Sequence, residues 1–183
     1  TVYTHLYIGG QAEFYIGEDK VKLVQDTDYP WNGNVTMKVS AQGDNKFNIG
    51  LRIPGWCRNA EIKINGNPVD IYNNITNGYV LLNRRWANGD VIELNFEMPV
   101  ELIEANPKVR ADAGKVAIQR GPMVYCVEEI DNGDNLSTIS IPHNAKFTTE
   151  FDNDTLQGIV VIKGDAIRKR DFSFDEGLYR PVN

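Results

Sequence analysis

The sequence predicts an all-β protein: two antiparallel, jelly-roll-like β-sandwich modules in tandem. Three observations predict it. Apolar and polar residues alternate with period two over many short stretches. Turn-forming residues recur about every 8 to 12 positions, the spacing of sandwiches and barrels. No stretch carries the wider apolar stripe of an amphipathic helix.

Taken in chain order, the first alternations are Phe14 and Ile16, then Val21 and Leu23, separated by turn residues Gly17 to Asp19. Val35, Met37 and Val39 follow, offset by Thr36, Lys38 and Ser40. After a turn at Gly43-Asp44, Phe47, Ile49, Leu51 and Ile53 alternate with Lys46, Asn48, Gly50 and Arg52, which puts four apolar side chains on one strand face. Ile62 and Ile64 lead into Asn65-Gly66, a strong hairpin signal because both turn residues must tolerate positive φ. Asn77-Gly78 and Asn88-Gly89-Asp90 introduce the next strands. Ile92, Leu94, Phe96 and Met98 then give the strongest alternation of all. One polar and one apolar face is what a sheet needs to pack on a second sheet.

Beyond Met98-Pro99 the pattern loosens. Asn106-Pro107, Gly121-Pro122 and the polar run Asp131 to Asn135 interrupt short alternations at Val116 and Ile118 and at Met123, Tyr125 and Val127. Roughly 14 to 16 short strands are more than one sandwich holds. We therefore divide the chain into modules of residues 1–98 and 99–183.

Composition excludes several functions. Hydrophobic residues make up 42% and charged residues 24%, values of a globular chain. No apolar run reaches the length of a membrane helix, so no membrane partner is expected. The net charge is −6 with the cations scattered, which argues against nucleic acid. Cys57 and Cys126 are too few for a disulfide scaffold or a four-cysteine zinc site, and their spacing leaves both the pairing and the compartment undetermined. The opening Thr1 to Ile8 reads as a strand already under way, and both chain ends read as cut from something longer.

Catalytic parts are scarce. His5 and His143 stand in no triad pattern, so neither is assigned as a base. His, Cys and carboxylates show no metal-ligand spacing, and no metal or cofactor is expected in this segment. Glu101, Glu104 and Asp112 read as solvated strand faces rather than a catalytic carboxylate pair. The aromatics are more suggestive. Tyr29-Pro30-Trp31 sits in a loop bounded by Pro and Gly, and flat rings on sandwich loops stack on sugar faces. Tyr29 and Trp31 are the candidate carbohydrate-binding residues; the competing reading is that they plug the sandwich end or dock on a neighbouring domain.

Several separated motifs together resemble the β-sandwich region of glycoside hydrolase family 127. These are Leu51-Arg52-Ile53-Pro54-Gly55-Trp56-Cys57, Ile64-Asn65-Gly66, Gly78-Tyr79-Val80 and Trp86-Ala87-Asn88-Gly89-Asp90, followed by the run from Ala105 to Glu128. They stand in the family's order over most of residues 1–130. The family includes β-L-arabinofuranosidases. The resemblance implies that catalysis belongs to an (α/α)₆ barrel preceding the sandwiches, with a cysteine nucleophile, a zinc held by Cys and Glu, and an acid/base Glu. None of those motifs occurs here, so no catalytic residue carries over. The implied role is non-catalytic: bracing the absent barrel, shaping access to it, and contributing to contacts between copies. An aromatic-rich strand region usual in the family is lacking after Asn183, so the second sandwich is expected to be short of its last strand.

Within the matching run, Arg110 and Asp112 are two apart, which places them on one face if the segment is a strand. With Arg120 of Arg120-Gly121-Pro122 they are the candidate domain-interface residues. Ordinary pairing within the sandwich is the equal alternative.

Overall fold

The computed structural model describes residues 1–41, 46–170 and 179. The Gly43-Asp44 turn lies outside the described residues. The chain divides into two compact units, Thr1–Val124 and Tyr125–Asn183.

The described residues of the first unit, with Tyr125 at its boundary, form the strands β1 (Val2–Thr4), β2 (Gly10–Ile16), β3 (Asp19–Thr27), β4 (Asn34–Ala41), β5 (Lys46–Arg52), β6 (Ala60–Ile64), β7 (Asn67–Pro68), β8 (Ile75–Thr76), β9 (Tyr79–Arg85), β10 (Val91–Phe96), β11 (Val100–Glu104), β12 (Val116–Arg120) and β13 (Met123–Tyr125). They form a four-stranded sheet in the order β1-β5-β9-β8, a six-stranded sheet in the order β2-β3-β4-β10-β6-β7, and a three-stranded sheet β11-β12-β13. The expected antiparallel pairing governs both large sheets, with one difference: β1 runs parallel to β5, Tyr3 opposite Gly50.

The alternation read from sequence fixes which faces meet. Ile49, Leu51, Val80 and Leu82 of the four-stranded sheet share one core with Val35, Met37, Val39, Ile62, Ile92, Leu94 and Phe96 of the six-stranded sheet. Burial of that area drives the sandwich together. Trp86, 1% exposed, closes one side and donates its indole N–H to the Phe47 carbonyl at 3.1 Å. Tyr7, in the β1–β2 connection, is equally buried and donates its hydroxyl to the Arg52 carbonyl at 2.6 Å. Burial pushes its phenol pKa up.

The Asn-Gly signals become turns. Asn65 and Gly66 have φ of 52° and 78° between β6 and β7, and Asn77 and Gly78 have 51° and 79° between β8 and β9. Positive φ at both central residues gives the turn twist that suits a two-residue hairpin.

The second unit carries a one-turn helix α1 (Glu129–Asn132) and strands β14 (Ile139–Ser140), β15 (Phe147–Asp152), β16 (Ile159–Gly164) and β17 (Ile167–Arg168). Two antiparallel pairs result, β14 with β17 and β15 with β16. Arg168 donates to the Asp134 carbonyl at 2.6 Å and to the Asn132 carbonyl, tying β17 to the end of α1.

Candidate functional site

The loop of residues 28–33 holds the two aromatic candidates, and short-range polar residues shape it. The Thr27 hydroxyl donates to the Asn34 carbonyl at 2.7 Å and accepts from the Tyr29 N–H at 3.1 Å. The Trp31 N–H donates to the Asp28 carbonyl at 2.9 Å, and Asn32 caps the Asn34 N–H at 3.0 Å. The Tyr29–Pro30 peptide bond is cis.

The loop does not bring Tyr29 and Trp31 to equivalent places. The Tyr29 ring packs inward, its centroid 6.4 Å from Trp56 and 6.2 Å from Tyr7. Phe96 completes this cluster at 5.0 Å from Tyr7 and 6.1 Å from Trp56. Burial pushes the Tyr29 phenol up, partly offset by its bond to Trp56. Trp31 is half-buried and stands outside the core cluster. A hollow of about 370 Å³ is lined by Gly10, Gln11, Val24, Gln25, Asp26 and Lys38, and neither aromatic contributes to it.

The loop is anchored on two further sides. Gly33 accepts the Phe96 N–H at 3.0 Å, and a Cβ at Gly33 would stand 1.9 Å from the Phe96 carbonyl oxygen. Arg120, on β12, donates from Nη1 to the Trp31 carbonyl at 2.9 Å. That bond spans 89 residues and joins the loop to the strands following Met98-Pro99. Arg58 Nε also reaches Glu101 Oε1 on β11, at 3.2 Å.

Arg110 and Asp112 differ from the strand reading. They lie in a 3₁₀ turn, Arg110–Asp112, so their i, i+2 spacing does not put them on one face, and both are exposed. The flanking Asn106-Pro107 and Gly114 were the signal for a turn rather than a strand. Of the three interface candidates, Arg120 alone is engaged with the aromatic loop.

Cys57 and Cys126 are free thiols. Cys57 is half-buried, and burial pushes its thiol pKa up; its Sγ donates to the Asn59 carbonyl at 3.0 Å. No group of three or more His, Cys, Asp or Glu among the described residues is placed to hold a metal.

A second aromatic group went unread in the sequence. Tyr3 and His5 have nearly parallel rings 6.0 Å apart, and Tyr79 stands edge-on to both at 5.2 and 5.6 Å. The Tyr79 hydroxyl lies 2.7 Å from His5 Nδ1. The i, i+2 spacing of Tyr3 and His5 was visible, but their pairing with a residue 74 positions away from His5 was not.

Residues 1–98 match the family model described as the GH127 middle domain of β-L-arabinofuranosidase, and residues 100–167 match that of the family 127 C-terminal domain. The chain belongs to glycoside hydrolase family 127. Among curated family 127 relatives, it is 34% identical to the non-reducing end β-L-arabinofuranosidase of Bifidobacterium longum subsp. longum, matching over 98% of this chain and 28% of that protein. A solved GH127 β-L-arabinofuranosidase from Geobacillus stearothermophilus T6 superposes with a TM-score of 0.95 at 49% identity, over 99% of this chain and 28% of the other. A further GH127 β-arabinofuranosidase superposes at 0.84 with 36% identity, over 90% of this chain and 28% of that one. The chain thus spans about 28% of the length of these family 127 relatives.

Proposed function

We propose that this chain is the non-catalytic sandwich portion of a β-L-arabinofuranosidase-like glycoside hydrolase, bracing the catalytic barrel and shaping substrate access. The observation carrying the reading is that the chain's two stretches match the family's middle and C-terminal domains in order. The arrangement around Arg120 supports it physically. A guanidinium bonded to the Trp31 carbonyl and a backbone bond between Gly33 and Phe96 stiffen the loop and lock it to β12, as a prop requires. The direct test is hydrolysis of an aryl β-L-arabinofuranoside by the purified chain. The expected rate equals that of buffer. Hydrolysis above buffer that disappears on substituting one of the chain's own residues would overturn the reading.

A second reading, an autonomous carbohydrate-binding module using Tyr29 and Trp31, draws on the partial exposure of Trp31. It requires that arabinose-containing oligosaccharides perturb tryptophan fluorescence and that Trp31→Ala removes the effect. The inward packing of Tyr29 weighs against a two-ring platform.

A further inference from the structure

The face of the four-stranded sheet turned away from the core has an uncommon composition. Ile49, Leu51, Val80 and Leu82 point into the core, so the intervening residues share the opposite face. There Tyr3 lies opposite Gly50, which lies opposite Leu81; Asn48 is paired with Asn83, and Arg52 with Tyr79. Gly50 is buried although it falls on the outward phase, because the Tyr3 ring lies across it: a Cβ at Gly50 would stand 2.5 Å from Tyr3 Cδ1. Tyr3 remains 48% exposed. The His5 ring runs nearly parallel to it at 6.0 Å, and Tyr79 meets it at a steep angle at 5.2 Å.

Planar polar groups flank this ring. Asn83 donates its amide to Asn48 Oδ1, and Asn48 donates to the Thr1 hydroxyl at 3.2 Å. The interlocked pair presents amide edges along the strands. Arg52 is exposed and gives one N–H to the His5 carbonyl at 3.5 Å, while a guanidinium carries five donors.

We infer that this face binds a neutral oligosaccharide, with Tyr3 as the stacking platform and Arg52, Asn48 and Asn83 as hydroxyl partners. A sugar ring has an apolar C–H face and an equatorial rim of hydroxyls. It matches an aromatic ring held among neighbouring rings, beside an interlocked amide pair and an exposed guanidinium. The glycine opposite Tyr3 is what leaves room for the ring, since a Cβ there would meet its Cδ1 and Cε1 atoms at 2.5 and 2.7 Å. The platform of this site is Tyr3 rather than the loop aromatics, although Arg52 lies within electrostatic reach of Tyr29, and the site neither needs nor weakens the bracing role.

The test is isothermal calorimetry of the chain with arabino- and xylo-oligosaccharides of defined length, alongside sedimentation. Binding is expected in the wild type, with Tyr3→Ala and Arg52→Ala each weakening it about tenfold, the size of one stacking or charged hydrogen-bond contribution. Tyr3→Phe keeps the ring and should bind as the wild type does, which separates loss of the platform from loss of the fold. Trp31→Ala should also leave binding intact. Absence of heat at millimolar sugar overturns the proposal. So does undiminished binding in Tyr3→Ala, or binding lost only in Trp31→Ala. Self-association that Tyr3→Ala abolishes, with no sugar response, would instead make this face a contact between protein chains. None of these results bears on the hydrolysis assay above.

Discussion

Asp90 is 6% exposed, yet it carries a charge. Its carboxylate accepts from Asn65 Nδ2 at 2.8 Å and from the Ala87 N–H at 2.9 Å, with Arg84 at 3.7 Å. Burial alone would raise its pKa, but those hydrogen bonds and the Arg84 charge outweigh it and hold the carboxyl below the ordinary value. A folded pKa depressed below the unfolded one gives stability that is present above about pH 4 and lost as pH falls further. Asp90→Ala should strip two donors of their acceptor and cost about 1–3 kcal/mol in urea unfolding at neutral pH. The same variant should show a flatter decline of stability between about pH 4 and 2 than the wild type. A parallel decline in both proteins would mean that Asp90 does not drive the acid response. At this scale the sequence was half legible. Asn65-Gly66 announced a turn, but the second use of Asn65, its amide bridging Asp90 and the Val91 N–H, depends on contacts 25 and 26 residues away.

The strands were the most legible elements, because period-two alternation is a local signal and burial on one face enforces it. β4 and β10 pair in the register that their alternation requires, Ile92 opposite Met37 and Leu94 opposite Val35. The segment containing Arg110 and Asp112 was misread because two-residue spacing has meaning only once the backbone is known to be extended. The aromatic loop was legible as a loop but not in its attachment, since the Arg120 bond arises from tertiary folding. Arg120→Met, which keeps much of the side chain's apolar stem, should release the Trp31 carbonyl. Amide exchange of residues 29–33 should then speed up several-fold while β3 stays protected. Unchanged exchange in the loop would show that Gly33 and Tyr29 hold it without help.

For the molecule as a whole, the two units differ sharply in their cores. The first packs Trp86, Phe96, Met37, Ile49 and their neighbours into one cluster, whereas Val160 is the buried hydrophobic residue among the described part of the second. Calorimetry should therefore show a broad or doubled transition rather than a single two-state one, and limited proteolysis should cleave within residues 125–170 first. A single sharp transition, with both units cut at equal rates, would contradict this. Family membership was legible because motifs separated along the chain keep their order. The outer face of the four-stranded sheet was not, because it is assembled from β1, β5 and β9, which meet only through long-range pairing.

The last strand of the six-stranded sheet, β7, consists of Asn67 and Pro68 alone. Asn67 opposes Ile64 next to a two-residue turn and is the hydrogen-bonded partner, which leaves the nitrogen of position 68 facing outward. Proline has no hydrogen there to offer. A strand from another molecule arriving at this rim meets a short terminus whose outward position has no donor, which disfavours pairing there.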